Sequence, residues 1–189
     1  MNNILQKYHF LNVSSLFCKE NPIFAGKYST MNITEQDKEY MREAIRLADE
    51  SLKNGGGPFG AVIVKDGEII AGSANSVTRD NDPTAHAEVN TIRQACRKLG
   101  TFDLSDCVIY TSCEPCPMCL GAIYWARIKR VFYGNTKKDA AEINFADDFI
   151  YKELEQHSTE RSVPFIPLLR DEAIETFRAW AKKEDKVEY

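Results

Sequence analysis

The sequence contains no run of about 18 apolar residues, the minimum length of a membrane-spanning helix. Within the first 30 positions, asparagine and serine interrupt the apolar residues, so the continuous apolar centre of a secretory signal peptide does not form. These absences argue against a membrane protein and a secreted protein. We therefore expect a cytoplasmic protein whose cysteines stay reduced.

Positive charge is also scarce. The chain has 24 lysine and arginine residues against 28 aspartate and glutamate residues, which gives a net charge of −4. The densest basic stretches, residues 127–130 and 137–138, are short. A protein whose main task is to bind a nucleic-acid backbone usually shows a basic face. The charge balance therefore favours a small-molecule substrate.

Only three histidines are present, and one of them begins a His-x-Glu sequence formed by His86 and Glu88. Farther along, Cys116 and Cys119 follow Pro115 in a Pro-Cys-x-x-Cys sequence. Zn²⁺ held by one imidazole and two thiolates keeps a fourth position for water and lowers the pKa of that water from about 15.7 toward about 7. The pattern is typical of the zinc-dependent nucleobase deaminases, in which the glutamate carries protons and is not a ligand.

The spacing within each pair suits these separate roles. His86 and Glu88 are two positions apart, so on a helix they point in different directions and do not compete for the metal. Cys116 and Cys119 are three apart, which places both sulfur atoms on one face of a first helical turn. Pro115 suits the start of that helix, where the partial positive charge favours thiolates.

Two other interpretations use the same cysteines. Cys113, three residues before Cys116, could close a structural zinc site as a fourth ligand, but that arrangement gives Glu88 no function. A disulfide between Cys116 and Cys119 is less favoured, because thiols stay reduced in a chain without a secretory signal. A non-catalytic module stabilised by zinc therefore stays open as an alternative to an enzyme.

Apolar periodicity and turn residues predict a single domain over residues 31–189. The order strand, helix, strand between residues 108 and 133 predicts a parallel strand pair with helices packed on the sheet. We expect residues 1–30 to be a poorly ordered extension; alternatively, Met31 is the initiator and residues 1–30 are an upstream read-through. The predicted helices cover residues 35–53, 86–98, 116–126 and 139–155, with a final amphipathic helix around Ile174, Phe177 and Trp180. The predicted strands cover residues 61–64, 69–71, 108–110 and 131–133. We expect residues 163–168 to form an extended piece that is an edge strand at best.

Five parts of the sequence form a wider pattern around the zinc motifs. They are residues 57–64, 81–88, 111–119 and 145–153 and the terminal Tyr189. On these residues the chain resembles the cytidine deaminase superfamily and, within it, the guanine deaminases of bacterial type. The last two stretches are what the transfer-RNA adenosine deaminases lack. The resemblance implies an α/β fold, a three-layer α/β/α sandwich around a mixed, roughly five-stranded sheet. It also implies hydrolysis of the 2-amino group of guanine to xanthine and ammonia.

The same resemblance implies a homodimer that exchanges its C-terminal segment, residues 156–189, so that Tyr189 of one subunit closes the site of the other.

It also implies roles for individual residues. The implied residues are His86, Cys116 and Cys119 as ligands of one Zn²⁺ per subunit, Glu88 as the proton carrier, Asp147 as a second acid near the leaving amine, and Asn75, Phe59, Ala87 and Tyr189 as substrate-binding residues.

Two departures from the family pattern leave alternatives open. Residues 1–30 have no counterpart in the family, and Phe-Ala-Asp-Asp at residues 145–148 replaces the usual Phe-Asp-Asp-Ser, so Asp148 is an alternative to Asp147. Guanosine, cytosine and transfer-RNA adenosine are alternative substrates, because the same zinc site serves related deaminases and only the shape of the pocket distinguishes them.

Overall fold

The computed structural model describes residues 32–188. The predictions made for residues 1–30, for Met31 as the initiator and for Tyr189 therefore lie outside the described residues. From Gln36 onward the chain belongs to one compact unit. None of the described helices is long and apolar enough to cross a membrane.

A mixed sheet forms the centre of the domain. Its order is β2-β1-β3-β4, in which β1 runs antiparallel to both neighbours and β3 runs parallel to β4. The described residues thus contain four strands where the sequence predicted about five, while the mixed α/β class is confirmed. The strands are β1 (Gly60–Lys65), β2 (Glu68–Ala74), β3 (Val108–Cys113) and β4 (Arg130–Asn135).

The predicted hairpin is confirmed, and its turn has a local cause. Asp66 and Gly67 connect β1 to β2 with φ values of 50° and 82°. Positive φ at both central residues is the signature of a type I′ turn, whose twist matches that of the two strands it joins. The pairing of Lys65 with Glu68 directly beside the turn fixes the register of the hairpin.

Helices cover both faces of the sheet, which confirms the predicted three layers. On one face, Val62 and Tyr110 pack with Tyr40 and Ala44 of the first helix. On the other face, alternate strand residues pack against the helices that follow β2 and β3. The helices are α1 (Glu35–Lys53), α2 (Val77–Asp80), α3 (Ala87–Leu99), α4 (Pro117–Trp125), α5 (Lys137–Glu142), α6 (Asp148–Glu155) and α7 (Arg170–Ala181).

One of the two predictions about the C-terminal third needs correction. The helix predicted over residues 139–155 is two helices, α5 and α6, because Asn144 has a φ of 69° that breaks the helical path. Residues 163–168, predicted as an extended piece that is an edge strand at best, belong to no strand in the described part of the chain. Pro164 and Pro167 explain this result, since proline has no N–H group to pair with a neighbouring strand.

Candidate active site

Two helix N-termini meet beside the sheet. His86 is the residue that precedes α3, and Cys116 is the residue that precedes α4, each with extended backbone angles. Cys119 lies in the first turn of α4, which begins at Pro117, one residue later than predicted. The prediction that His86 lies at a helix N-terminus is confirmed.

The three donor atoms are spaced as a zinc ion requires. His86 Nδ1 lies 3.5 Å from the Sγ atom of Cys116 and 3.5 Å from that of Cys119. Ideal zinc bonds in a tetrahedron place an imidazole nitrogen about 3.6 Å from a thiolate sulfur. All three donor atoms lie within 4.8 Å of one another. The residues present therefore fit a tetrahedral zinc ion with one position left for a water molecule.

One of the three donors, Cys116, is favoured as a thiolate, whereas the other two retain their protons more strongly. The hydrogen bond from the Cys119 thiol, followed by the bond with His86, holds the pKa of Cys116 well below its usual range. The same hydrogen bond and burial raise the pKa of Cys119, while the Cys116 thiolate raises the pKa of His86. Zinc binding therefore displaces protons from Cys119 and His86.

Glu88 lies beside this cluster and is buried, with 6% of its surface exposed. Thr111 Oγ1 donates a hydrogen bond to its Oε1 at 3.2 Å, and the Cys119 thiol donates to its Oε2 at 3.4 Å. Burial raises the pKa of Glu88, which is what a group that must gain and lose a proton near neutral pH requires. Sequence reasoning missed Thr111, because a threonine within a strand carries no signal of its own.

A cavity of about 520 Å³ opens in front of the cluster, a volume within the usual range for small-molecule sites. Three parts of the chain form its wall: the turn after α1 with the end of β2, the two zinc motifs, and the segment from α5 to α6. The lining residues are Gly55, Gly56, Gly57, Phe59, Asn75, Val77, Thr78, His86, Glu88, Cys113, Glu114, Cys116, Lys137, Ala140, Asn144, Phe145, Ala146 and Asp147.

The predicted substrate-binding residues take different positions. Phe59 and Asn75 both line the cavity, and the Phe59 ring contacts the edge of Phe145, with 5.0 Å between ring centroids. Ala87 is the fully buried first residue of α3 and is not among the lining residues. Sequence reasoning missed Phe145 as a wall residue, because it stands in a segment predicted to be continuous helix.

Asp147 and Asp148 lie in unlike surroundings. Asp147 lines the cavity, and burial followed by the nearby Cys116 thiolate raises its pKa. Asp148 pairs with Lys152 at 2.8 Å in solvent, and this partner lowers the pKa of Asp148. The structure therefore brings Asp147 to the cavity and leaves Asp148 on the surface.

Cys113 does not join the metal cluster. Among the residues that the structure describes, the group of donors close enough to hold one ion contains His86, Cys116 and Cys119. The Cys113 thiol is directed at the backbone oxygen of Thr136, 3.7 Å away, and burial raises its pKa to about 11. A site closed by four protein ligands finds no support in this arrangement.

Three side chains spaced for zinc, with a buried glutamate beside them at the floor of a cavity, define a zinc-dependent hydrolytic deaminase. A family model described as the cytidine and deoxycytidylate deaminase zinc-binding region matches residues 34–135. The chain belongs to this family, and zinc is its cofactor.

Relatives within the family act on different bases. The chain is 56% identical to the guanine deaminase of Bacillus subtilis over 151 residues, 79% of this chain and 97% of the relative. It is 45% identical to the transfer-RNA-specific adenosine deaminase of Aquifex aeolicus over 102 residues, 53% of this chain and 68% of the relative. The X-ray structure of the Bacillus subtilis guanine deaminase superimposes with a TM-score of 0.79 at 54% identity, covering 84% of this chain and 99% of that one.

Proposed function

We propose that the protein hydrolyses guanine to xanthine and ammonia with zinc as its cofactor. The observation that carries this proposal is the 56% identity to a guanine deaminase along nearly the whole length of that relative. The site supports it, because a cavity of about 520 Å³ offers room for a purine base directly in front of the zinc ligands and Glu88.

His86, Cys116 and Cys119 are the proposed ligands. Bound there, zinc lowers the pKa of a water molecule and so makes it nucleophilic near neutral pH. Glu88 then takes a proton from the water that attacks C2 of guanine and delivers it to a ring nitrogen. Thr111 holds the other oxygen of Glu88, which keeps the carboxylate in one orientation during this transfer.

The leaving group needs a second proton. Attack at C2 gives a tetrahedral carbon that bears a hydroxyl group and the amine. Glu88, assisted by Asp147, takes the proton of the C2 hydroxyl group and transfers it to the amine; the C–N bond then breaks, ammonia leaves, and the C2 oxygen becomes the new carbonyl. The raised pKa of Asp147 supports this role, since an acid with a raised pKa retains its proton closer to neutral pH.

The remaining substrate contacts are part of the same proposal. Phe59 stacks on the purine and Asn75 forms hydrogen bonds with it, as their place in the cavity wall permits. Ala87 and Tyr189 are assigned to substrate binding on the resemblance alone. A transfer-RNA substrate is disfavoured by the net charge of −4.

We also propose a cytoplasmic homodimer in which residues 156–189 are exchanged between subunits. The support is the exposed apolar surface of this segment, where Ile166 and Leu168 are each 81% exposed and Phe177 is 73% exposed. Apolar side chains in such numbers are characteristic of a surface that a partner covers.

The deciding experiment measures ammonia release by the zinc-loaded protein from guanine, guanosine, adenine and cytosine side by side. We expect release from guanine alone. Glu88→Gln should retain zinc and lose at least about 10²-fold in kcat, because it removes the proton carrier without disturbing the ligands. Equal release from cytosine or guanosine would contradict the substrate assignment, and unchanged turnover by Glu88→Gln would contradict the role of that residue.

A further inference from the structure

The turn after α1 forms one edge of the cavity and contains three consecutive glycines. Gly55 has a φ of 78°, so its backbone conformation explains the choice of glycine there. Gly57 does not have a positive φ, so its backbone would accept alanine. A positive φ therefore does not explain glycine at position 57, whereas the limited space beside it does.

The space next to Gly57 belongs to the two proposed base-binding side chains. A Cβ atom at position 57 would lie 3.2 Å from Cδ2 of Phe59 and 3.5 Å from both Cγ and Oδ1 of Asn75. The first distance is shorter than an ordinary carbon–carbon contact of about 3.5–4.0 Å. An added methyl group would therefore press on the Phe59 ring and touch the Asn75 amide at the same time.

The backbone around these side chains cannot easily yield to that pressure. The Phe59 N–H donates to Gly57 O at 2.8 Å, and the Asn75 N–H donates to Phe59 O at 2.9 Å. The hydroxyl of buried Ser51 in α1 donates to Asn75 O at 3.0 Å. Because these bonds hold the backbone at Gly57, Phe59 and Asn75 together, a methyl group at Gly57 would be accommodated by movement of the Phe59 and Asn75 side chains, both of which line the cavity.

We propose that Gly57 is the steric determinant of base binding: the absence of a side chain there keeps Phe59 and Asn75 far enough back to admit a flat purine ring. This inference rests on the proposed function. It assigns a task to a residue that the sequence analysis placed only in the stretch of residues 57–64. The three atoms nearest to a Cβ at position 57 belong to Phe59 and Asn75, so the effect should fall on substrate binding and not on the metal or the chemical step.

The test is Gly57→Ala in the zinc-loaded protein. We expect the KM for guanine to rise about tenfold, the size of effect that overpacking by one methyl group produces, with kcat within about twofold and zinc content unchanged. Gly121→Ala is the matched control, because a Cβ atom at Gly121 in α4 would meet nothing within 4 Å. An unchanged KM in Gly57→Ala, or an equal change in the control, would overturn the inference.

Two further measurements separate crowding from general damage. In a Phe59→Leu background, Gly57→Ala should raise the KM less than about threefold, since the ring that the methyl group presses on is gone; an undiminished effect would refute the mechanism. Calorimetric binding of guanine to Glu88→Gln protein, with and without Gly57→Ala, should show the same tenfold loss of affinity. This binding measurement tests the role of Gly57 even if the wild-type protein releases no ammonia. Absence of ammonia release would contradict the proposed function but not the role of Gly57 in base binding.

Discussion

At the scale of single residues, the cavity separates two adjacent carboxylates that the sequence could not distinguish. Asp147 lines the cavity, and its pKa is raised by burial, whereas Asp148 is held in solvent by Lys152. A group that assists departure of the amine must lie within reach of the substrate. Only Asp147 meets that geometric condition.

Asp147→Asn should therefore lower kcat for guanine by about 10²-fold with zinc content unchanged, because it removes a proton donor near the leaving amine. Asp148→Asn is the matched control and should stay within about twofold, since it removes only an exposed ion pair. Steady-state ammonia release at saturating guanine measures both variants. A larger loss in the Asp148 variant would reverse the assignment.

The structure brings together the three residues that the sequence proposed as zinc ligands, which could be singled out because their chemistry is rare and their spacing is local. His86 and the two cysteines each carry a metal-binding atom that few other residue types supply. Both motifs are also short: Glu88 follows His86 by two positions, and Cys119 follows Cys116 by three. Thr111 was not predicted, because threonine is common and its partner is distant in the sequence. Its hydrogen bond to Glu88 connects residues 23 positions apart, and nothing in a buried strand pattern marks one threonine as a partner of a distant carboxylate.

At the scale of secondary-structure elements, strands and their connections were predictable where turn-forming residues lie between them. The hairpin and the parallel strands around α4 follow from local turn signals and short apolar runs. The segment between α5 and α6 was not predictable, because its residues read as a continuous amphipathic helix. The break at Asn144 is what allows Asp147 and Phe145 to reach the cavity wall.

The packing of α1 on β1 depends on one glycine. A Cβ atom at Gly60 would lie 2.3 Å from the backbone oxygen of Ala44 and 2.6 Å from the backbone nitrogen of Ala48. Gly60→Ala must therefore push the helix away from the strand. We expect a loss of about 2–3 kcal/mol in the free energy of unfolding, measured by urea denaturation of the zinc-loaded protein.

The control variant for this prediction, Gly121→Ala, should raise the free energy of unfolding instead of lowering it. Gly121→Ala places a methyl group in open space within a helix, where alanine is favoured over glycine by about 0.5–1 kcal/mol. The two glycine-to-alanine changes should thus move the urea midpoint in opposite directions. A neutral result for Gly60→Ala would mean that α1 does not pack this closely on β1.

At the scale of the whole molecule, the C-terminal segment stands out because it exposes large apolar side chains. Its helix α7 leaves Phe177 largely exposed, and the stretch before it leaves Ile166 and Leu168 exposed. Burial of each such side chain against a partner is worth about 1.5–3 kcal/mol. Exchange of this segment between two subunits would bury these side chains and would bring the chain end to the neighbouring active site.

Mixing two inactive variants tests whether the tail acts across subunits. Glu88→Gln retains the tail but lacks the proton carrier, whereas a chain without residues 186–189 retains Glu88 but lacks the tail. If the tail closes the partner's site, a mixed dimer contains one site with both parts. Equal mixing with free exchange should then restore about a quarter of wild-type ammonia release, because half of the dimers are mixed and each has one complete site.

The control mixture combines Glu88→Gln with Cys119→Ser, two defects that both lie beside the metal, so every site lacks one of them and activity should stay absent. Zinc content of the truncated chain should equal that of the wild type, because His86, Cys116 and Cys119 are untouched. If the truncated chain alone is fully active, the tail has no part in the site. If it is inactive and mixing restores nothing although exchange has occurred, the tail serves its own subunit, and the exposed apolar surface must then be covered by a contact that does not reach the active site.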